Sequence, residues 1–306
     1  MKSVSPESRW VIYGALAANA AVCVAKFTAA LLSGSAALLS EGIHSLADTG
    51  NEILLLLGLR RSQKPADSSH PYGYGKEQYF WSLIVALVLF SVGGGTSIYE
   101  GVRRLMHPQR VEHSLANYVV IGVAFVFESG SLWLGIRNLR ARQSEGSLLS
   151  AIQRSKDPSV FTVVAEDIAA IAGLVAAFIG VLTSDLFDAA WCDAVGSIAV
   201  GATLCVVAFF LASESHKLLV GESGSQELLD HVQRITREDP SVKSVGETLS
   251  MQLGPEQVLI NLTVEFEPGT CSTDLPGAIQ RLERRIREAH PEITRLYVEA
   301  SSLAGH

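Results

Sequence analysis

Six long apolar stretches constrain the fold of this 306-residue chain more than any other feature of its sequence. Each stretch is close to the roughly 20 residues that an α-helix needs to cross the hydrocarbon core of a bilayer. A backbone inside lipid must satisfy its own hydrogen bonds, so stretches of this kind are expected to be helical. The six stretches are Trp10–Leu32, Ala36–Leu59, Phe80–Tyr99, Leu115–Ile136, Val160–Leu182 and Ala189–Ala212.

The composition changes after the sixth stretch, close to residue 220. Charged residues make up only 18% of the whole chain, whereas a soluble domain usually has about 25%. From Gly221 to His306 the sequence is rich in Glu and Arg, and it has no apolar run long enough to cross a bilayer. The sequence therefore predicts a transmembrane domain over residues 1–220 and a soluble domain over residues 221–306.

Basic residues near the ends of the stretches predict the orientation, because Lys and Arg are enriched in cytoplasmic loops. With the N-terminus inside, only Arg103, Arg104 and Arg110 lie in outer loops. The first stretch has no small-residue cleavage site after a short apolar core, so we expect a retained helix. The chain is thus predicted to be a multi-pass membrane protein with both termini cytoplasmic. The inner segments carry Lys2, Arg9, Arg60, Arg61, Lys64, Lys76, Arg137, Arg140, Arg142, Arg154 and Lys156.

Ionisable residues are concentrated in the second and fifth stretches. A charged side chain at the centre of a bilayer costs roughly 2.5–3.5 kcal/mol on insertion scales, so such residues usually face a partner, a cavity or an ion. The second stretch contains SEGIHSLADTGNE, and the fifth contains an adjacent acidic pair. The residues concerned are Glu41, His44, Asp48 and Glu52 in the second stretch, and Glu166 and Asp167 in the fifth.

His44 and Asp48 are candidate ligands of a divalent metal ion. They are four residues apart, which places them within about 40° of each other on one helix face. Zinc normally takes four ligands, so Asp167 from the fifth stretch is the expected third ligand and the fourth stays open. The alternative is that His44 and Asp48 only hydrogen-bond to each other or to the backbone. A cation would remove the repulsion between acids gathered in a low dielectric.

Four other ionisable residues in or near the stretches have simpler interpretations. Lys26 is expected to extend its ammonium to the membrane surface. Glu100 and Asp193 lie near the ends of stretches, which favours interfacial or capping roles. Glu128 lies deeper, and a role in a proton path is left open. The four cysteines form no Cys-x-x-Cys pair and are interpreted as small apolar residues.

Three segments resemble the cation diffusion facilitators, a family of divalent-metal exporters. GSAALLSEGIHSLADTGNE is similar to the second-span signature of that family, ADSSHPYGYGKEQ to its loop between the second and third spans, and CDAVGSIAVG to the start of its sixth span. The resemblance implies six transmembrane helices and a C-terminal α+β ferredoxin-like cytoplasmic domain that forms a homodimer. It also implies export of zinc in exchange for protons, with His44, Asp48 and Asp167 as metal ligands.

The fifth stretch departs from the family pattern. The family usually carries His-x-x-x-Asp there, and Val163 stands at the histidine position if Asp167 is the aspartate. A branch of the family has an acidic pair at this point, so Glu166 is expected as the substitute ligand. Glu166 and Asp167 are about 100° apart on a helix, so one ion must lie between them to reach both.

The loop and the soluble domain depart as well. The family's loop site uses an aspartate and two histidines, but here Asp67 and His70 are followed by Tyr74 in place of the second histidine. A loop metal site is therefore expected to be weak or absent. In the soluble domain, His231 and His290 are isolated in the sequence, so no regulatory metal cluster is expected there.

Periodicity in the soluble domain predicts the order α-β-β-α-β. A helical pattern starts at Gln226, alternation marks strands over residues 249–253 and 258–266, and a helix capped by Ser272 or Thr273 extends to Ala289 before a last strand around Leu296. Its arginines alternate with glutamates, which indicates a solvated face rather than a nucleic-acid surface. No nucleic-acid partner is expected; the expected partners are a second copy, the lipid bilayer and divalent metal ions.

The prediction is a secondary active transporter, not an enzyme. It would export Zn²⁺, with Mn²⁺, Fe²⁺ or Co²⁺ as further candidates, by alternating access with protons as counter-ions, most simply in a bacterial inner membrane. A non-transporting metal sensor or scaffold of the same fold is the alternative. An intramembrane hydrolase using His44 is disfavoured, because the sequence contains no Gly-x-Ser-x-Gly or His-Glu-x-x-His motif.

Overall fold

The computed structural model describes residues 6–107, 115–142, 156–267 and 274–301. These residues form two compact units. The first unit combines the helices before Arg61 with Phe80–Ser215, and the second combines Arg61–Tyr79 with the described residues from His216 onwards. The segment Arg61–Tyr79, which contains the loop motif, thus belongs to the same unit as the C-terminal sheet.

Six helices coincide with the six predicted stretches. Four of them are long and apolar enough to cross a membrane among the described residues: α3, the segment Asn117–Arg137 of α4, α5 and α6. The described apolar part of α1, Asn19–Ser33, is shorter, and polar residues interrupt the apolar sequence of α2. The chain is thus a helical protein of the membrane type. The helices are α1 Pro6–Ser33, α2 Ala36–Ser62, α3 Glu77–Met106, α4 Leu115–Arg142, α5 Pro158–Phe187 and α6 Ala190–Val220.

Glycines bring α3 and α6 into close contact. The middle of α3 widens into a π-helical segment, Leu89–Gly95. A Cβ added at Gly94 would lie 2.5 Å from the Sγ of Cys205, and one added at Gly201 would lie 2.8 Å from the carbonyl oxygen of Gly94. Small residues at such positions let helix backbones approach closely, which is the usual basis of helix packing in membranes.

Asp193 of α6 caps the start of α2. Its Oδ1 accepts a hydrogen bond from the Ser35 hydroxyl and its Oδ2 accepts one from the Ala36 backbone N–H, both at 2.5 Å. The first N–H groups of a helix have no partner within it, so an acceptor there stabilises the end. Next along α6, the Ser197 hydroxyl contacts that of Ser40 at 2.6 Å. The predicted capping role of Asp193 is confirmed, and the helix that it caps is a neighbouring one.

The C-terminal sheet has the predicted α-β-β-α-β order. In the described residues it contains three strands, with β1 antiparallel to β2 and β2 parallel to β3. β1 begins at Val242, earlier than the alternation from Leu249 predicted. The predicted caps Ser272 and Thr273 lie outside the described residues. The elements are α7 Gln226–Arg237, β1 Val242–Gly254, β2 Gln257–Phe266, α8 Leu275–Ala289 and β3 Ile293–Ser301.

One face of this sheet packs against α7 and α8. Alternate residues of β2 are buried, as the period of a strand requires. They meet the apolar sides of both helices, and each fully buried aliphatic side chain contributes about 1.5–3 kcal/mol relative to exposure. The result is a two-layer domain with a single core. Its most buried members are Val232, Ile260, Leu262, Val264, Leu282 and Ile286.

Replacing Asp193 by Asn should destabilise the protein in detergent. The amide has one oxygen acceptor and no charge, so α2 loses charge-assisted hydrogen bonds and we expect a cost of about 1–2 kcal/mol. The loss of stability is measured from the unfolding midpoint of the purified protein. Asp188→Asn is the matched control, because Asp188 adopts a left-handed conformation (φ 49°) that Asn tolerates. Equal midpoints for the two variants would contradict the capping role.

Candidate metal site

His44 is buried on α2 beside Asp48. The ring is fully buried, and its Nδ1 lies 3.3 Å from the Oδ1 of Asp48. This contact is not aligned as a hydrogen bond, and both ring nitrogens of His44 and the Oδ1 of Asp48 have no hydrogen-bond partner. A buried polar atom without a partner costs free energy. One nitrogen of a neutral imidazole carries a hydrogen and the other a lone pair. That lone pair and an oxygen of Asp48 are therefore free to bind a ligand.

The acidic pair of α5 faces two different helices. Asn51 of α2 donates a hydrogen bond from Nδ2 to the Oε1 of Glu166 at 2.6 Å. Ser131 of α4 donates one to the Oδ2 of Asp167 at 2.9 Å. Both acids are buried. The separation of about 100° between adjacent helical residues thus aims the two carboxylates at separate neutral donors.

A pocket in the helical unit brings these acids together. Like charges in a buried space repel one another strongly, so the pocket favours cations or protons. Even so, no three His, Cys, Asp or Glu side chains within the described ranges stand in a geometry that would hold one ion. The acids would have to turn from Asn51 and Ser131 towards a metal. The pocket is lined by Asn19, Val22, Ser45, Asp48, Glu52, Glu128, Ser131, Val163, Glu166 and Asp167.

Three of the four predicted ligands, namely Asp48, Glu166 and Asp167, line this pocket. The fourth, His44, is not part of the lining but contacts Asp48, which is. Val163 lines the pocket as well, one helical turn before Asp167. An imidazole at that position would therefore face the same space.

The pocket also contains two acids, Glu52 and Glu128, that the sequence analysis named but did not assign as metal ligands. Glu52 lies on α2 four residues after Asp48, so the same spacing that selected His44 and Asp48 as ligands would have selected it. Its Oε1 accepts a hydrogen bond from Asn19 at 2.6 Å. Glu128 is a single acid on α4, and no spacing in the sequence singles it out.

The prediction for Lys26 is wrong. Its side chain does not extend to the membrane surface but is fully buried, with Nζ 3.0 Å from the Oε2 of Glu41. Glu41 is also fully buried. The reason is that an opposite charge on the adjacent helix offers the ammonium a partner inside the bundle.

The loop acid Asp67 is saturated with hydrogen bonds. Its Oδ1 accepts from the hydroxyl of Ser69 and from the backbone N–H groups of Ser69 and His70, and the hydroxyl of Tyr74 donates to its Oδ2 at 2.7 Å. These hydrogen bonds, led by that of the Ser69 hydroxyl, hold the pKa of the carboxyl well below its usual range. Tyr74 thus uses an oxygen that a metal would need. A weak or absent loop site stays a prediction.

His231 and His290 are not isolated in space. The Nε2 of His290 lies 2.8 Å from the Nδ1 of His231, and the Nδ1 of His290 lies 3.1 Å from an oxygen of Glu292. The two histidines are 59 residues apart in the chain, so only the packing of α7 against the end of α8 reveals the pair. In the part of the chain that the structure describes, they form no metal-binding group of three.

Membrane-type helices around a pocket of buried acids indicate a class of membrane protein that handles cations. Residues 12–220 match the family model described as the cation efflux transmembrane domain. This match covers more than half of the chain. The chain therefore belongs to the cation efflux family, the cation diffusion facilitators.

Named relatives from several kingdoms are similar to the chain. The human "Proton-coupled zinc antiporter SLC30A9, mitochondrial" is 34% identical over 259 residues, which cover 84% of this chain and 46% of the relative. "Metal tolerance protein C4" of Arabidopsis thaliana is 33% identical, over 85% of this chain and 57% of the relative. "Manganese efflux system protein MneS" of Bacillus subtilis is 25% identical, over 90% and 91%. The chain thus spans about half the length of the first two relatives.

Replacing Val163 by His should raise the affinity of the protein for zinc relative to manganese. The new imidazole would face the pocket one turn from Asp167, and imidazole favours zinc over manganese. Titration of purified protein with each metal measures the ratio of dissociation constants, which we expect to shift at least about tenfold. Val175→His is the control, because Val175 lies on an exposed side of α5 (44% exposed). An unchanged ratio in Val163→His would remove this position from the site.

Proposed function

We propose that this chain exports divalent metal cations, zinc first, in exchange for protons by alternating access. It would be a secondary active transporter and not an enzyme. One observation carries the proposal: buried acids of α2 and α5 line one pocket, next to a buried His44 whose ring nitrogens have no partner. Family membership and the names of the zinc and manganese relatives support it.

The proposed metal ligands are His44, Asp48, Glu166 and Asp167. A metal needs neutral imidazole and ionised carboxylates, so its entry would displace protons from these groups. It would also replace the hydrogen bonds that Asn51 and Ser131 donate. The Oδ1 of Asn51 has no hydrogen-bond partner, so it offers a further oxygen near Glu166. Protons that enter from the outer side would then compete for the same ligands and release the metal.

Proton exchange supplies the energy of export. Moving one charge against a potential of 100 mV costs about 2.3 kcal/mol, so expelling a dication costs about 4.6 kcal/mol. Each returning proton recovers about 2.3 kcal/mol, and a pH gradient adds to this.

The ligand types favour zinc without excluding harder ions. Imidazole with carboxylates suits Zn²⁺, and also Co²⁺ and Fe²⁺, while a site dominated by carboxylates admits Mn²⁺. A thiolate would favour copper(I), but among the described residues no cysteine lines the pocket. Here Val163 stands at the position of the family's histidine, and the acid Glu166 is the proposed substitute ligand. A carboxylate in place of an imidazole weakens the discrimination against manganese.

The proposed organisation has a six-span transport domain over residues 1–220 and a ferredoxin-like cytoplasmic domain over 221–306. The match of residues 12–220 to the family model and the α-β-β-α-β order support it. We place both termini in the cytoplasm and the protein in a bacterial inner membrane. Since the human relative is named as mitochondrial, fractionation of the native cells tests the location.

The alternative is a metal-binding sensor or scaffold that does not transport. Two observations favour it: Val163 stands where the family usually has a histidine ligand, and the described residues hold no ready group of three metal ligands. This protein would bind metal without moving it across the bilayer.

Proteoliposomes test the proposal. With the full chain reconstituted, a pH gradient should drive zinc flux, and Asp48→Ala and Asp167→Ala should abolish it because each removes a charged ligand. An internal zinc indicator measures the flux, and Asp188→Asn is a control in an exposed acid away from the pocket. Unchanged flux in both alanine variants would refute the ligand assignment. Zinc binding by the native chain without any flux would favour the sensor.

We also propose that the cytoplasmic domain forms a homodimer. The face of its sheet that is turned away from α7 and α8 exposes apolar side chains, including Leu249 (53% exposed) and Tyr297 (48% exposed). These two residues are aligned with Asn261 across the three strands. An apolar patch of this kind is typical of a surface that binds a partner.

Leu249→Lys should lower the dimer fraction of the full-length protein. The ammonium would have to be desolvated within the proposed interface, which disfavours association. Sedimentation in detergent measures the fraction, and Gln280→Lys at an exposed position of α8 controls for the one added charge. A dimer that persists unchanged in Leu249→Lys would exclude this face as the interface.

A further inference from the structure

A buried lysine lies directly behind the wall of the metal pocket. Lys26 of α1 is 0% exposed, and its Nζ donates to the hydroxyl of Ser45 at 2.8 Å and contacts the Oε2 of Glu41 at 3.0 Å. The same Nζ lies 4.0 Å from the Oε1 of Glu128 on α4. Ser45 and Glu128 line the pocket, whereas Glu41 does not. Lys26 therefore connects an acid outside the pocket with an acid inside it.

Packing fixes Glu41 on the far side of the lysine. Its carboxylate lies against the bare backbone of Gly173 on α5, where an added Cβ would come within 2.4 Å of Oε1. That Oε1 has no hydrogen-bond partner, so Lys26 supplies the charge that balances this acid. Glu41 thus anchors the ammonium, because moving the ammonium away would leave the buried carboxylate without a charged partner.

Glu128 is the pocket acid that this anchored charge reaches. The 4.0 Å separation is at the limit of an ion pair, and 18% of the Glu128 side chain is exposed. The other four pocket acids are held differently: Glu52, Glu166 and Asp167 accept from neutral donors, and Asp48 lies beside His44. Among the pocket acids, Glu128 is therefore set apart by its contact with a lysine side chain.

We propose that Lys26 is a positioning residue that withholds Glu128 from the metal. The ammonium holds the carboxylate of Glu128 on the α1 side of the pocket, so that a metal is bound by His44, Asp48, Glu166 and Asp167 without it. This inference rests on the proposed function of the same pocket. Its consequence is a site that binds the dication more weakly than its acid content allows, and that releases it more readily.

Removing the charge should therefore tighten metal binding. In Lys26→Met, Glu128 is free to turn to the metal, so we expect a dissociation constant about 10-fold to 100-fold lower. The gain should be larger for Mn²⁺ than for Zn²⁺, because an added carboxylate favours the harder ion. In transport, tighter binding and slower release should lower both KM and kcat. Lys26→Arg keeps the charge and should retain the native values.

A double-mutant cycle with Glu128→Gln is the decisive experiment. The probes are Zn²⁺ and Mn²⁺ alone, titrated at one pH into the purified full-length chain in detergent. If Lys26 acts through Glu128, Lys26→Met/Glu128→Gln should return to near the native affinity, and Glu128→Gln alone should change it little. A merely structural Lys26 would instead weaken the binding of both metals in Lys26→Met, with no rescue by Glu128→Gln, and this result would overturn the inference.

Glu41→Gln provides a second test that does not remove the lysine. Without its anchor, the ammonium should move towards Glu128, so metal binding should weaken or stay native and must not tighten. Tighter binding in Glu41→Gln would refute the proposed arrangement. Binding is measured separately from flux, so a chain that binds metal but moves none would overturn the transport proposal and leave this cycle interpretable. If flux is native and the double-mutant cycle shows no coupling between Lys26 and Glu128 in metal affinity, only the role of Lys26 is overturned.

Discussion

The dominant constraint on this chain is the cost of placing ionisable groups where water cannot solvate them. The helical unit buries Lys26, Glu41, His44, Glu166 and Asp167. Most of these side chains have a specific partner from another helix, and the partners differ in chemical type. One acid faces a lysine, and two others face an amide and a hydroxyl. The packing of the helices is therefore tied to the charge balance of one small region.

α2 is the element on which this balance depends. It contributes Glu41 to the lysine pair, His44 and Asp48 to the candidate site, and Asn51 to the acid of α5. Its first turn is fixed by the carboxylate of Asp193 on α6. A rigid start gives every later position on the helix a defined direction, since each residue advances by about 100°. The distant cap and the buried site are thus parts of one arrangement.

Much of the fold and part of the candidate site could be predicted from the sequence, because apolar composition and regular spacing mark the elements concerned. Six apolar stretches gave the six helices, and alternation along Val258 to Phe266 gave the central strand of the soluble domain. The spacing of His44 and Asp48 predicted their contact. The pairing of Lys26 with Glu41, and that of His231 with His290, could not be predicted in this way. Those contacts depend on how helices pack side by side, which a single sequence does not encode in any fixed spacing.

The two donors that hold the acids of α5, Asn51 and Ser131, carry no charge. In the proposed exchange, the site returns across the bilayer without the metal and with protons on its ligands. An amide and a hydroxyl within hydrogen-bond distance would then hold the metal-free carboxyl groups in place without adding charge to the bilayer interior. The metal-free half of the cycle would thus depend on two uncharged side chains that release these groups when a cation arrives.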